Sequence, residues 1–307
     1  MMPRPSTTLR GVLRHNEPMS AHVSWRAGGP AQSWYQPADL NDMAEFLRGL
    51  SEDVPIYCVG LGSNLLVRDG GLAGVVLSMH GALKTLRLEE PATQAGMIYA
   101  EAGVALPKLA RFAANHDLIG AEFMAGIPGT LGGGLAMNAG CYGSDTWDVV
   151  CRVLTMNRRG EIRQRERSGF HIGYREVVGL GADEWFVAGW LALAQGDGKR
   201  SREAITTLLE KRIASQPLGQ PNAGSVFRNP PDDHAARLIE ECGLKGFRIG
   251  GAQVSEKHAN FIINQGHASA ADIERLIAHV HDTVLEQQKV DLACEVRIVG
   301  QNREEMQ

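Results

Sequence analysis

The chain has no excess of positive charge: 31 Lys+Arg stand against 35 Asp+Glu, a formal net charge of −4 over 307 residues. A broad basic surface for nucleic acid is therefore excluded, and any anionic ligand has to be met by a local cluster. No stretch approaches the roughly 18–20 apolar residues that a membrane-spanning helix needs. Residues 1–18 lack the apolar core of a secretory signal. Cysteine is sparse: Cys58, Cys141, Cys151, Cys242 and Cys294 are odd in number, widely spaced and without a C-x-x-C pair. That spacing argues against both a disulfide framework and a zinc site. The ten histidines form no His-x-x-x-His or Glu-x-x-His pattern, so no metal is expected. These absences predict a cytoplasmic protein with no membrane or nucleic-acid partner.

Hydrophobic residues make up 44% and charged residues 21%, the balance of an ordinary globular chain long enough for two domains. Asp39 is placed to cap a helix with Met43, Phe46, Leu47 and Leu50 on one stripe. Residues 54–59 read as a buried strand ending at Gly60, and strands at 65–67 and 75–77 flank the turn 68–71. A strand over 97–101 precedes a helix opened by Pro107. Residues 151–156 and 161–165 read as a hairpin, and 185–193 as a further strand. Composition shifts at residues 195–200, predicting domains at 1–198 and 199–307. Beyond the shift, three helical stripes follow: Ile205, Leu208, Leu209, Ile213; then Ala235, Leu238, Ile239, Cys242, stopped by Gly243; then Ile273, Leu276, Ile277, Val280, Val284, opened by Ser269 and Asp272. A strand over 292–299 closes the chain. Short strands interspersed with helices predict an α+β fold.

Glycine is the outlier, at 36 residues of 307 against an average near 7%. The first cluster, Gly60-Leu61-Gly62-Ser63-Asn64-Leu65, directly follows a strand. Glycines let backbone approach a phosphate, and successive N–H groups form an anion nest. A Rossmann loop is excluded, because Leu65 stands where the third glycine is needed and the next segment is strand-like. A simple tight turn remains open for this loop alone. The second cluster runs from Gly126 to Gly140, with six glycines in fifteen residues. Each loses more backbone freedom on folding than any other residue. A structural turn needs one or two, so the excess points to backbone wrapped around a large or polyphosphate ligand.

Together these segments resemble the FAD-binding domain of the vanillyl-alcohol-oxidase (PCMH) type, and within it the family of UDP-N-acetylenolpyruvoylglucosamine reductases. The agreement runs from Ser24-Trp25-Arg26-Ala27-Gly28-Gly29 to Glu295-Val296-Arg297. It includes Gly173-Tyr174-Arg175, Gly224-Ser225-Val226-Phe227-Arg228-Asn229-Pro230 and Ser255-Glu256-Lys257-His258-Ala259-Asn260-Phe261. Val177, Arg228 and Trp25 depart from the Ser, Lys and Phe usual at those places. No inserted tyrosine-bearing loop is present, so the chain looks like the shorter, second class. The resemblance implies a two-part PCMH-type FAD-binding region followed by a smaller α+β substrate domain. It further implies non-covalent FAD, NADPH as hydride donor, UDP-N-acetylglucosamine enolpyruvate as substrate, and a monomer.

By the same resemblance FAD is held by Arg26, Gly60, Leu61, Gly62, Ser63, Asn64, Leu65, Ile127, Pro128, Gly129, Gly132, Gly133, Asn138, Ala139 and Gly140. The substrate is met by Tyr174, Arg228, Lys257 and Asn260. The implied reaction delivers hydride to C3 of the enolpyruvyl group, then a proton to C2. Arg175 becomes the enolate stabiliser, Ser225 the proton donor and Glu295 the carboxylate acting at C2. Alternation over 292–299 puts Cys294, Val296 and Ile298 on one face and Glu295 with Arg297 on the other. Taken alone, a Ser in a Gly-Ser turn, a strand-end Arg and a Glu sharing a face with Arg297 are ordinary surface features. His258 reads equally as a structural histidine. Two rivals stay open: a flavin oxidase of the same superfamily acting on an alcohol or amine, with Cys58 near its first loop, and a non-catalytic sensor of flavin or UDP-sugar.

Overall fold

The computed structural model describes residues 9–89 and 95–303. Helices α1 (Leu40–Arg48), α2 (Leu106–Asn115), α3 (Leu131–Met137), α4 (Thr146–Val149), α5 (Gly198–Ser215), α6 (Ala235–Glu241) and α7 (Ala270–Gln288) alternate with short strands, an α+β arrangement. Local chemistry explains their starts. Asp39 accepts from Asp42 N at the head of α1, and α2 carries Pro in its first turn. At α7, Ser269 and Asp272 form a reciprocal capping box.

The chain divides into two compact units, both discontinuous. The first comprises the described residues up to Arg14, Trp34–Gly60 and Val75–Lys211; the second comprises His15–Ser33, Leu61–Gly74 and the described residues from Arg212 on. The first unit holds two large apolar cores and a smaller cluster of Tyr99, Ala188 and Trp190. One large core gathers Leu106, Leu109, Leu131, Leu135 and Trp147 against Ile98, Val153 and Leu191. The other packs α1 through Met43, Phe46 and Leu47 against Val75 and Leu77. A six-stranded antiparallel sheet runs in the order Ile162–Glu166, Val150–Asn157, Glu184–Gln195, Ala95–Glu101, Leu86–Glu89, with Leu118–Ile119 beside Glu184–Gln195. The second unit has its own core, with Leu238, Ile239, Ile273, Leu276 and Val280 around Trp25 and Phe227.

At the junction expected over residues 195–200, α5 begins at Gly198, and the boundary between the compact units falls between Lys211 and Arg212. Two expectations are revised. The α5 stripe fails at its end: Ile205 is buried but Ile213, past that boundary, is 60% exposed. The closing strand is only Arg297–Val299, paired in parallel with Leu65–Val67; ahead of it Cys294 makes a single bridge to Phe227. Cys294 is exposed while Val296 is buried, so the expected alternation does not extend back over 292–295. No helix among the described residues is long and apolar enough to cross a membrane.

Candidate active site

The first glycine loop leaves the strand Ile56–Val59, which pairs in parallel with Leu72–Ser78. The unit boundary falls inside it, between Gly60 and Leu61. A Cβ on Gly60 would lie 2.4 Å from Thr130 Oγ1, and one on Gly62 (φ +60°) would lie 2.3 Å from His22 O. Both positions are therefore closed to side chains. Cys58, beside the loop, packs against the first unit's core, where burial pushes its thiol well up. A thiol held protonated there is a poor nucleophile toward flavin.

The second cluster places Thr130 at the N-cap of α3, and its hydroxyl is buried with no hydrogen-bond partner. Buried polar atoms are nearly always paired, so an orphaned hydroxyl asks for a ligand group or water. A Cβ on Gly133 would meet nothing within 4 Å, so the backbone there faces open space. An unpaired hydroxyl over Gly60 and a bare backbone at Gly133 fit a cradle for FAD. Thr130 lies within the glycine cluster but was not among the expected site residues; its signal was a lone hydroxyl in an apolar, glycine-rich run. Ile127 is buried and Pro128 exposed, while Arg26 is exposed with a left-handed backbone, φ +55°.

Asn138 ends α3 in the left-handed region, φ +41°. Its amide is spent on the protein: Nδ2 donates to Gly173 O (3.0 Å) and Oδ1 accepts from Trp147 N (3.2 Å). Asn138 thus braces the glycine segment against the hairpin His171–Gly173/Glu176–Val178. Tyr174 and Arg175 form the two-residue tip of that hairpin. Tyr174 is exposed, and the Arg175 guanidinium lies 5.0 Å from its ring centroid.

Arg175 belongs to the first unit, Ser225 and Glu295 to the second. Within the second unit, backbone bonds draw the expected residues together. Glu295 N donates to Val226 O (2.8 Å), Arg228 N to Ala293 O (2.8 Å) and Val226 N to Asn260 O (2.9 Å). Asn64 Nδ2 reaches Glu295 O at 3.1 Å, tying the first loop to this cluster. Asn260, expected at the substrate, is buried and grips Phe227 at both ends: Nδ2 to Phe227 O (2.8 Å), Oδ1 from Phe227 N (2.9 Å). It holds the segment that carries Ser225. Lys257 lines a cavity of about 540 Å³ with Gln216, Gln220, Arg248 and Gln253, and its ammonium donates to Ile213 O at 2.5 Å.

His258 is half-buried, its ring set edge-on to Phe261 at 4.7 Å, with Nδ1 buried and unpaired. Burial, reinforced by Lys245, holds its pKa below the ordinary value of 6.5. The folded state thus favours the neutral ring. Its contribution to stability is complete above about pH 6.5, where the unfolded chain is neutral too, and is lost as pH falls toward the folded pKa. Replacing His258 by Phe should flatten the fall in melting temperature between pH 7 and 5. Thermal melts with an unchanged slope would contradict this.

Two family models match the chain. A model described as "FAD binding domain" matches residues 31–165, and one described as "UDP-N-acetylenolpyruvoylglucosamine reductase, C-terminal domain" matches 216–299. The chain is 58% identical over 305 residues to the UDP-N-acetylenolpyruvoylglucosamine reductase of Thiobacillus denitrificans, covering 96% of this chain and 94% of that one. It is 55% identical over 298 residues to that of Methylococcus capsulatus, covering 97% and 96%. The crystal structure of the Thermus caldophilus reductase superposes with a TM-score of 0.78 at 27% identity, covering 95% of this chain and 99% of that one. The chain belongs to the UDP-N-acetylenolpyruvoylglucosamine reductase family.

Proposed function

We infer that the chain is an NADPH-dependent FAD enzyme that reduces UDP-N-acetylglucosamine enolpyruvate to UDP-N-acetylmuramate for peptidoglycan synthesis. The observation that carries this is identity of 58% over 96% of the chain to a reductase of that name, joined to an unpaired Thr130 hydroxyl in a glycine cradle. FAD, when bound, supplies to C3 of the enolpyruvyl group a hydride taken from NADPH. The chain's own groups then act at C2. Arg175 carries a permanent charge suited to the carboxylate onto which enolate charge spreads. Ser225 Oγ gives the proton, and Glu295 orients the substrate at C2. Lys257 and Arg228 supply positive charge for the substrate's diphosphate. We place the enzyme in the cytoplasm as a monomer; the net charge of −4 favours small-molecule partners over nucleic acid.

The test is direct. Mild denaturation should release FAD, showing it is not covalently attached, and NADPH oxidation should require the enolpyruvyl sugar nucleotide. Because NADPH and substrate are read as visiting one cleft in turn, double-reciprocal plots should be parallel, with inhibition by excess substrate. Oxidation of an alcohol or amine without the sugar nucleotide, or flavin binding without any NADPH oxidation, would refute the reading.

A further inference from the structure

Arg175 sits at φ +56° in a two-residue hairpin tip, a left-handed conformation that non-glycine residues adopt only at a cost. Such an outlier persists where surrounding contacts over-determine it. Here the contacts are specific. Nη1 donates to Asn138 O (3.1 Å) and to Asp145 Oδ1 (3.2 Å), and Nη2 donates to Gly140 O (2.7 Å). Beside them, Asn138 Nδ2 returns a bond to Gly173 O. The hairpin tip is thus bolted to the end of the glycine-rich segment, and Asp145 supplies the negative charge in the joint.

The placement of Asp145 is itself arranged. Ser144–Asp145 pairs antiparallel with Gly140–Cys141, setting Asp145 opposite Gly140. A Cβ on Gly140 would lie 1.7 Å from Asp145 Oδ1. Glycine at 140 is therefore what lets the carboxylate lie flat against the strand and still meet the guanidinium. Asp145 also heads α4 in a capping box with Asp148, which restrains its own rotamer.

We propose that Asp145 is the positioning residue of Arg175. By pinning the guanidinium through Nη1 while Nη1 and Nη2 hold the carbonyls of Asn138 and Gly140, it fixes which edge meets the substrate carboxylate. It also couples that edge to the segment that cradles FAD. A long arginine otherwise has wide rotamer freedom, and a misplacement of about 1 Å costs up to roughly 100-fold in rate. This deepens the role given to Arg175 above and rests on it.

Asp145→Asn isolates the charge, because Asn caps helices as well as Asp does and keeps an Oδ1 acceptor. Stopped-flow flavin absorbance should show reduction by NADPH unchanged and reoxidation by the enolpyruvyl substrate slowed about 10- to 100-fold. Calorimetric titration of the oxidised holoenzyme with the substrate, which needs no turnover, should show weaker binding. The deciding measurement is made in an Arg175→Ala background, where Asp145→Asn should cause no further loss in either readout. Asp145→Ser, another good N-cap, repeats the test if the Asn variant folds poorly. Equal losses in the two backgrounds, equal slowing of both half-reactions, or no loss at all would overturn the positioning role alone. A wild-type enzyme that fails to reduce the enolpyruvyl sugar would overturn the functional reading, and this proposal with it.

Discussion

Ser225→Ala is expected to leave FAD reduction by NADPH near the wild-type rate and to slow substrate reduction by about 10²–10⁴-fold, the usual cost of a lost general acid. The asymmetry follows from the order of events. A proton is needed at C2 only after hydride has reached C3, and none is needed while NADPH reduces the flavin. Alanine is well tolerated by the local frame. Ser225 is half-buried, Gly224 absorbs the turn with φ +77°, and the following backbone is clamped by Asn260 through Val226 and Phe227. Loss of rate should therefore reflect the hydroxyl and not a collapsed loop. Binding of the UDP portion should change little, since one neutral hydroxyl contributes about 0.5–1.5 kcal/mol net. Stopped-flow absorbance follows each half-reaction separately. If both slowed alike, or only affinity fell, Ser225 would be a structural or binding residue.

Trp25→Ala should cost about 3–5 kcal/mol of stability. The ring is wholly buried in the second unit's core, 0% exposed, and its Nε1 donates to Ile262 O at 2.7 Å. Its own carbonyl accepts from Asn264 Nδ2 at 2.8 Å. Truncation thus opens a large cavity and strands a buried carbonyl. Trp25→Phe keeps most of the volume and loses mainly the indole bond, so its cost should be smaller, about 1–3 kcal/mol for the unpaired group. Urea unfolding of both variants of the holoenzyme separates the terms. If Ala cost no more than Phe, the packing argument would be wrong and the hydrogen bond alone would matter.

Much of the architecture was legible in local patterns because its causes are local. Asp39, Pro107 and the Ser269–Asp272 pair mark helix starts through contacts three or four residues away. The 3.6-residue stripes of α1 and α7 then follow from which face is buried. Where a segment changes neighbours along its length, the pattern misleads. The α5 stripe ends in exposed Ile213 because the helix passes from one unit to the other. The 292–299 run looked like one strand, but only its last three residues find a pairing partner. The glycine excess pointed to a ligand-wrapping backbone, but nothing in it singled out Thr130, whose hydroxyl is buried without a partner.

By itself the sequence determined the caps and stripes of its helices, the absence of a Rossmann or metal pattern, and a family resemblance carried by long ordered motifs. Each depends on residue types at short spacing, where steric and hydrogen-bond rules act directly. The tertiary structure alone decided that residues 15–33 and 61–74 fold with the C-terminal part. There Leu65–Val67 pairs with Arg297–Val299. Asp69 accepts from the first amides of α7 some two hundred residues on, at 3.0 and 2.9 Å, and Arg68 pairs with Glu274 at 2.8 Å. It decided equally that Asn138 and Asn260 are braces and that Asp145 grips Arg175. A free helix-end amide or a guanidinium states in the sequence only that it needs a partner. Which of many distant acceptors supplies that partner is settled when the chain closes on itself.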